Sequence, residues 1–304
     1  MPIEKTEKIW MDGDFVAWDD ANVHILTHAL HYGTGVFEGI RAYEAKDGTA
    51  VFRLTDHMRR LAKSAKAIHV PLGYSVEALV EAAKETMRVN RLPAGYIRPL
   101  VYVAYGEMGL NPLPNPVGVS IAVWPWGTYL GEEGLASGVR VKTSSLRRIA
   151  VDALSPQVKA TANYLSSALA KVEAVKAGYD EALFLNPDGT LCEGPGENVF
   201  LVRDGVLLTP PPAKAGLPGI TRDSIVVIAR DLGYEVVERD LVPADAYYAD
   251  EAFFTGTAAE LTPIRELDDR EIGEPGPVTK KLQETFFAAV RGEVESYREW
   301  NEYV

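Results

Sequence analysis

Two carboxylates flank a glycine-proline-glycine bend at Cys192-Glu193-Gly194-Pro195-Gly196-Glu197-Asn198-Val199-Phe200. Such a bend leaves the backbone little freedom and holds a side chain at the mouth of the strand that follows. Glu193 and Glu197 are therefore candidates for one buried charged role and one supporting role. Lys159, in Val158-Lys-Ala-Thr-Ala-Asn-Tyr164, stands among small, mostly uncharged residues just ahead of a helix. A lysine desolvated in this way loses basicity and becomes a usable nucleophile, whereas a solvated one is an ordinary surface cation. Leu217-Pro-Gly-Ile-Thr-Arg-Asp223 runs a glycine turn into a helix. The first N–H groups there have no internal partner and the helix dipole favours an anion. A Thr-capped surface helix is the plainer reading. In Phe254-Thr-Gly-Thr-Ala-Ala-Glu260 a strand ends in small and hydroxyl residues. Backbone can approach a ligand there and Thr257 can add a hydroxyl, although a solvent turn has the same composition.

His24, His28 and His31 recur at spacings of four and three, which would align them on a helix face as metal ligands. Ile25, Leu26, Ala29 and Leu30 interleave them and no carboxylate falls in the run, so hydrogen-bonded core histidines are the favoured reading and no metal is expected. Tyr32, Phe37, Tyr96, Trp124, Trp126 and Tyr129 lie near glycine-rich bends and could line a pocket or simply a core. Arg98 is harder to place in a core. It interrupts an apolar strand, and a buried arginine needs an anion.

These residues need elements to hold them. Asp12-Gly13 between two apolar runs predicts a hairpin. Residues 51–53, 96–105, 117–124, 139–143, 181–185, 235–237 and 252–255 read as strands, with Pro99 marking an edge or a bulge. Helices are expected after a Thr55-Asp56 cap, from a Ser75 cap over 76–89, and over 164–177, 221–232 and 278–297. A second hairpin surrounds Asp204-Gly205. The glycine-rich stretch 125–135 breaks both periods and is expected to be an interdomain loop between domains 1–124 and 136–304. Strands and helices mix without strict alternation, so a plain doubly wound sheet is not expected.

The bulk numbers bound the function classes. At 47% apolar and 24% charged, the 304-residue chain can bury an ample core. A net charge of -12 disfavours nucleic acid and anionic membrane as partners. The lone Cys192, beside Glu193, reads as inert packing in a reducing compartment. No apolar leader or membrane-length run is visible, so a cytoplasmic enzyme or binding protein is expected.

Taken in order, Lys159, Tyr164, Glu193 within Glu-Gly-x-Gly-Glu-Asn, the Leu-Pro-Gly-Ile-Thr-Arg junction and Gly256-Thr-Ala-Ala-Glu260 resemble the fold-type IV (class IV) pyridoxal-phosphate aminotransferases. His28-Ala-Leu-His-Tyr-Gly33, Val36-Phe-Glu-Gly-Ile-Arg41, Tyr96-Ile-Arg-Pro99 and Gly109-Leu-Asn-Pro112 are similar to the branched-chain amino acid aminotransferases in particular. The resemblance covers nearly the whole chain and rests on more than five spaced motifs. It implies an α+β (mixed α/β) fold, with a smaller N-terminal α/β domain, a larger C-terminal pseudo-barrel domain and the cofactor between them. It implies ping-pong transamination of L-leucine, L-isoleucine or L-valine with 2-oxoglutarate, through the pyridoxamine form of pyridoxal 5′-phosphate.

Residue by residue, the resemblance makes Lys159 the lysine that carries the cofactor and shuttles the proton. Glu193 would pair with the ring nitrogen and Tyr164 with the ring 3-oxygen. Arg60, the backbone of Ile220 and Thr221, and the Thr257 hydroxyl would hold the phosphate, while Arg59 is solvated. Tyr96 and the backbone at Thr257-Ala258 would hold the substrate α-carboxylate. Tyr32, Phe37, Trp126 and Tyr129 would line the side-chain pocket, and Arg98 with the Tyr32 hydroxyl would meet the second carboxylate of glutamate. Met108 and Leu110 would reach in from a partner subunit, so a homo-oligomer (a dimer or a trimer of dimers) is implied.

One departure stands out. The family usually carries two glycines where this chain has Thr161-Ala162. Threonine and alanine resist positive φ, so an altered or strained backbone is expected beside Lys159. The alternatives are a D-amino acid or (R)-amine transaminase on the same scaffold, an aminodeoxychorismate lyase, a histidine-metal hydrolase, and a non-catalytic binding module with a solvated Lys159.

Overall fold

The hairpin expected around Asp12-Gly13 forms in the computed structural model, which describes residues 3–127, 129–214 and 216–304. Met1-Pro2 of the N-terminal reading and Thr128 of the expected connector lie outside the described residues. Strand β1 (Lys8–Met11) pairs with β2 (Asp14–Ala17). Both loop residues have positive φ, 51° at Asp12 and 106° at Gly13, as a two-residue loop needs to match the strand twist.

The chain divides into two compact units. The first comprises Met1–Gly127, Val158–Ala162 and Ala289–Val304. Strands β3 (Gly35–Phe37), β4 (Ile40–Ala45), β5 (Gly48–Phe52), β6 (Gly95–Val103) and β7 (Val117–Trp124) follow the hairpin, with α1 (His28–Tyr32), α2 (Leu54–Ala67) and α3 (Val76–Val89) among them. The sheet is antiparallel throughout, in the order C-terminal strand (Asn301–Tyr303), β5, β4, β6, β7, β1, β2, with β3 also on β6. Leu54, Met58, Leu61 and Ala65 recur at helical spacing along α2, and all four are fully buried in a core shared with Leu79, Ala83 and Met87 of α3.

Pro99 is not on an edge, because β6 lies inside this sheet. The break between β3 and β4 falls opposite Arg98-Pro99, where proline has no N–H to offer, and the Pro99 carbonyl accepts the Glu38 N–H at 2.9 Å. Ser75 caps α3 as expected, its hydroxyl accepting from Ala78 N–H at 3.1 Å. Thr55 and Asp56 do not cap α2. The Thr55 N–H donates instead to the Glu302 carboxylate at 2.7 Å, a partner 247 residues away.

The second unit comprises Thr128–Gln157 and Asn163–Ala288. Its elements are α4 (Gly131–Ser137), β8 (Val139–Arg147), α5 (Tyr164–Lys176), β9 (Glu181–Leu185), β10 (Asn198–Arg203), β11 (Val206–Thr209), α6 (Ile220–Asp231), β12 (Val236–Glu238), α7 (Pro243–Tyr247), β13 (Glu251–Gly256), β14 (Glu260–Leu267), β15 (Arg270–Glu271) and α8 (Pro277–Val290). The sheet order is β12-β11-β10-β13-β14-β8-β9, with β15 on β14. β11/β12, β8/β14 and β8/β9 are parallel and the other pairs antiparallel, so the fold is mixed α/β. Val141, Leu183, Leu201, Phe254 and Ile264 anchor its core.

Three expectations change. The glycine-rich connector is partly helical: α4 runs between Gly131 (φ 81°) and Gly138 (φ 85°), so the glycines punctuate a helix instead of preventing one. The contiguous division at 124 and 136 misses two returns to the first unit. Val158–Ala162 lies beside β3 through an Ala160–Val36 bridge, and the C-terminal strand extends the sheet at β5. The last helix stops at Val290 and not at Tyr297; Gly292 (φ 71°) turns the chain into a 3-10 turn at Glu295–Trp300.

Candidate active site

In the first unit, Lys159 is fixed by its backbone. Its N–H donates to the Ser64 hydroxyl at 3.2 Å and its carbonyl accepts from Phe37 N–H at 3.1 Å. The Lys159 ammonium lies 5.2 Å from the Phe37 ring centroid. The expected strain beside it is absent: Thr161 and Ala162 avoid positive φ, and Thr161 enters a 3-10 turn. The positive φ falls on Gly33 (66°) instead, where an added Cβ would sit 2.9 Å from the Ala162 methyl. The Thr161 hydroxyl donates to the Gly33 carbonyl at 2.9 Å.

Arg60 is paired with Glu38. Nε and Nη2 donate to Oε1 and Oε2 at 2.7 and 2.8 Å, and His57 Nδ1 lies 2.8 Å from Oε2. Glu38 and His57 are buried. Burial alone would raise the Glu38 carboxyl, but Arg60 and then His57 outweigh it and hold the group well below the usual carboxylate range. Burial lowers the His57 imidazole below its ordinary value despite the pull of Glu38. Arg59 is solvated and pairs with Asp56 at 3.3 Å.

The aromatic residues of this unit gather around Arg98. Its guanidinium carbon lies 5.0 Å from the Phe37 ring, 5.3 Å from Tyr96 and 5.8 Å from Trp124. Trp126 packs on Tyr96 at 4.2 Å between centroids. The Tyr96 hydroxyl occupies the space of a Gly39 side chain, since a Cβ there would overlap it. Arg98 makes no ion pair among the described residues, and its buried Nε has no hydrogen-bond acceptor.

The three histidines divide. His28 is buried, 2.8 Å from the Thr34 hydroxyl and 2.9 Å from the Gly109 carbonyl, whereas His24 and His31 are exposed and so are not core histidines. Tyr32 donates to the Met108 carbonyl at 3.1 Å. His28 and Tyr32 thus brace the loop that carries Met108 and Leu110, and Leu110 is 81% exposed.

In the second unit, Glu193 is buried with Arg148, whose Nε lies 2.7 Å from Oε1. Leu217 N–H donates to Oε2 at 3.0 Å, and Arg148 also donates to Ser167 of α5 at 3.1 Å. Gly216 (φ 77°) allows this packing, since a Cβ there would overlap the Glu193 carboxylate. Gly194 is required by space, because its Cβ would fall 2.5 Å from Glu197 Oε2. Glu197 is buried and accepts Gly196 N–H at 3.0 Å; burial, then Glu181, pushes its carboxyl up to about 8. Asn198 Nδ2 donates to the Leu217 carbonyl at 3.0 Å and so ties the bend to the approach of α6. Helix α6 starts at Ile220 after Gly219 without a side-chain cap, and Ile220 and Thr221 are buried. Thr257 and Ala258 form the turn between β13 and β14, where Gly256 approaches the Gly196 carbonyl. Tyr164 opens α5, and Tyr129 lies under the Lys171 ammonium at 5.6 Å. Cys192 is buried, and burial followed by the Glu193 charge raises its thiol, as an inert packing residue requires.

Sequence reasoning missed Glu38, His57, Ser64 and Arg148. Glu38 had a signal, a carboxylate inside the apolar string Val36-Phe-Glu-Gly-Ile40. Arg148 had a weaker one, the second of two arginines closing a strand.

The amino-transferase class IV family model matches residues 35–267. The branched-chain-amino-acid aminotransferase of Salmonella typhimurium is 48% identical over 303 residues, covering 99% of this chain and 98% of that one. The crystal structure of the Escherichia coli branched-chain amino acid aminotransferase superposes with a TM-score of 0.96 at 46% identity, covering 98% and 99% of the two chains. The branched-chain aminotransferase of the thermophilic archaeon Thermoproteus uzoniensis, solved with norvaline, gives a TM-score of 0.94 at 44% identity, with the same coverage. The chain belongs to the class IV aminotransferases, in the branched-chain-amino-acid aminotransferase family.

Proposed function

We propose that this chain transfers the amino group of L-leucine, L-isoleucine and L-valine to 2-oxoglutarate with pyridoxal 5′-phosphate, giving branched 2-oxo acids and L-glutamate. The observation that carries the substrate reading is Arg98 among Phe37, Tyr96 and Trp124. An aromatic wall suits a branched aliphatic side chain, and a cation that has no carboxylate partner among the described residues suits the second carboxylate of glutamate.

The residues fit the cofactor. The uncapped, buried start of α6 suits a phosphate, which the backbone of Ile220 and Thr221, the Thr257 hydroxyl and Arg60 would hold. Glu193 suits a protonated ring nitrogen, and the Arg148 guanidinium keeps its buried charge compensated. Tyr164 would meet the ring 3-oxygen. When bound, the cofactor supplies an electron sink for charge developing at the substrate α-carbon. Lys159 would tether it and would take up the proton leaving the substrate Cα. Tyr96 and the backbone at Thr257-Ala258 hold the α-carboxylate, while Tyr32, Phe37, Trp126 and Tyr129 exclude water from the side chain.

The exposed Leu110 supports the reading that Met108 and Leu110 complete a partner's pocket, so the active form is a homo-oligomer. On α5, Leu165, Leu169 and Val172 present a further exposed apolar face suited to a second copy. No helix among the described residues is long and apolar enough to cross a membrane. The single, buried Cys192 suits a reducing compartment, and a cytoplasmic enzyme is the reading it supports.

Reconstituted with pyridoxal 5′-phosphate, the protein should show a visible absorbance band that L-leucine bleaches and 2-oxoglutarate restores. A protein that stays colourless sinks the reading. Bleaching by D-alanine or an (R)-amine but not by L-leucine moves the assignment to a D-amino acid or (R)-amine transaminase.

A further inference from the structure

Arg60 is assigned a phosphate above, yet it already holds a carboxylate. Glu38 lies 0% exposed and takes two N–H bonds from one edge of the guanidinium. Burying a carboxylate merely to balance an arginine whose own side chain is only 11% exposed is energetically poor, because desolvation consumes the attraction. The geometry fits another task. A guanidinium is planar with five N–H bonds; once two aim at Glu38, planarity dictates where the other three point.

Glu38 is itself held so that it cannot turn. Its Oε2 is also bonded to His57, and an ionised carboxylate only accepts, so His57 Nδ1 carries the proton in that bond. Its backbone N–H is bonded to Pro99 at the break between β3 and β4. His57 and Arg60 stand one turn apart on α2, so one helix presents both partners to the same carboxylate. A neutral imidazole adds a hydrogen bond without a charge. The Glu38–Arg60 pair is then nearly neutral, and what it offers an anion is direction more than net charge.

We infer that Glu38, held by His57, is a positioning residue that aims Arg60 at the cofactor's phosphate group. The inference rests on the pyridoxal 5′-phosphate reading. The test uses the full chain freed of cofactor and titrated with pyridoxal 5′-phosphate or with pyridoxal, which has the same ring and aldehyde but no phosphate. Binding is read by equilibrium dialysis. The quantity of interest is the ratio of the two dissociation constants. Glu38→Gln should shrink that ratio by about tenfold or more, as loss of a charge-assisted contact predicts, and leave pyridoxal affinity within about threefold of wild type. Arg60→Met should shrink it likewise, and the double variant no further than Arg60→Met alone. If Glu38→Gln does not fold, Glu38→Asp, which withdraws the carboxylate by one methylene, carries the same test. Equal weakening of both ligands makes Glu38 structural and overturns the inference, as does an unchanged or larger ratio. A wild type that binds pyridoxal 5′-phosphate no better than pyridoxal fails at the cofactor reading itself, before any variant is compared.

Discussion

Replacing Arg98 with methionine should separate the two half-reactions. The guanidinium carbon stands 5.0–5.8 Å from three ring centroids, so the rings stabilise the cation without neutralising it. A carboxylate arriving there gains a charge-assisted contact worth about 2–3 kcal/mol. At about 1.4 kcal/mol per tenfold, that is a loss of roughly 30- to 150-fold in kcat/KM for L-glutamate in the Arg98→Met variant. Leucine brings no second carboxylate, and methionine keeps favourable contact with the rings. Its half-reaction should therefore change by less than about threefold. Each half-reaction is followed alone, in single turnovers, by loss of the visible band on adding L-leucine or L-glutamate. An equal loss for both substrates would make Arg98 a packing residue, and an unchanged glutamate reaction would place the second carboxylate elsewhere.

Glu197 predicts a pH effect. Its carboxyl is pushed up from 4.5 to about 8, so the folded protein binds this proton more tightly than the unfolded chain does. That contribution is complete below the unfolded value and is lost as pH rises through the folded one. Glu197→Gln removes the titration, so denaturant midpoints should fall less between about pH 5 and pH 8 in the variant than in wild type; parallel curves would contradict this. Thr161→Val removes the bond to the Gly33 carbonyl and should cost about 1 kcal/mol of stability, with Thr161→Ser close to wild type. A Val variant as stable as wild type would show that the hydroxyl contributes nothing.

Local signals were legible in the sequence and distant partners were not. Asp12-Gly13 and Ser75 act within a few residues of themselves, and both hold in the fold. Glu302 at the start of α2 could not be foreseen, because nothing near Thr55 in the chain points 247 residues ahead. The same reason hid the return of Val158–Ala162 to the first unit, where a bridge to Val36 decides the matter and not local propensity. At Thr161-Ala162 the rule against positive φ was sound, but the backbone there takes a 3-10 turn that never requires one. The site motifs were visible as residue types. Their supports were not, since Glu38 and Arg148 acquire meaning only from the Arg60 and Glu193 they touch.

The arginines of the chain can be sorted by what meets their charge. Arg148 has Glu193, Arg60 has Glu38, Arg222 has Glu238 and Arg140 has Glu266, each within 2.8 Å. Arg98 has three aromatic faces and, among the described residues, no carboxylate. Ring faces attract a cation without cancelling it, so Arg98 keeps a positive charge, whereas the charges of Arg60 and Arg148 are each met by a carboxylate. Two kinds of arginine task follow. Arg60, whose charge Glu38 already meets, would work through orientation on the inference drawn above. On the proposed reading Arg98 would work through charge, because its aromatic surroundings leave that charge unmatched. The same division explains how a pocket can accept leucine and glutamate in turn. On that reading a hydrocarbon side chain would need only the rings, and they would stabilise the cation until a carboxylate met it.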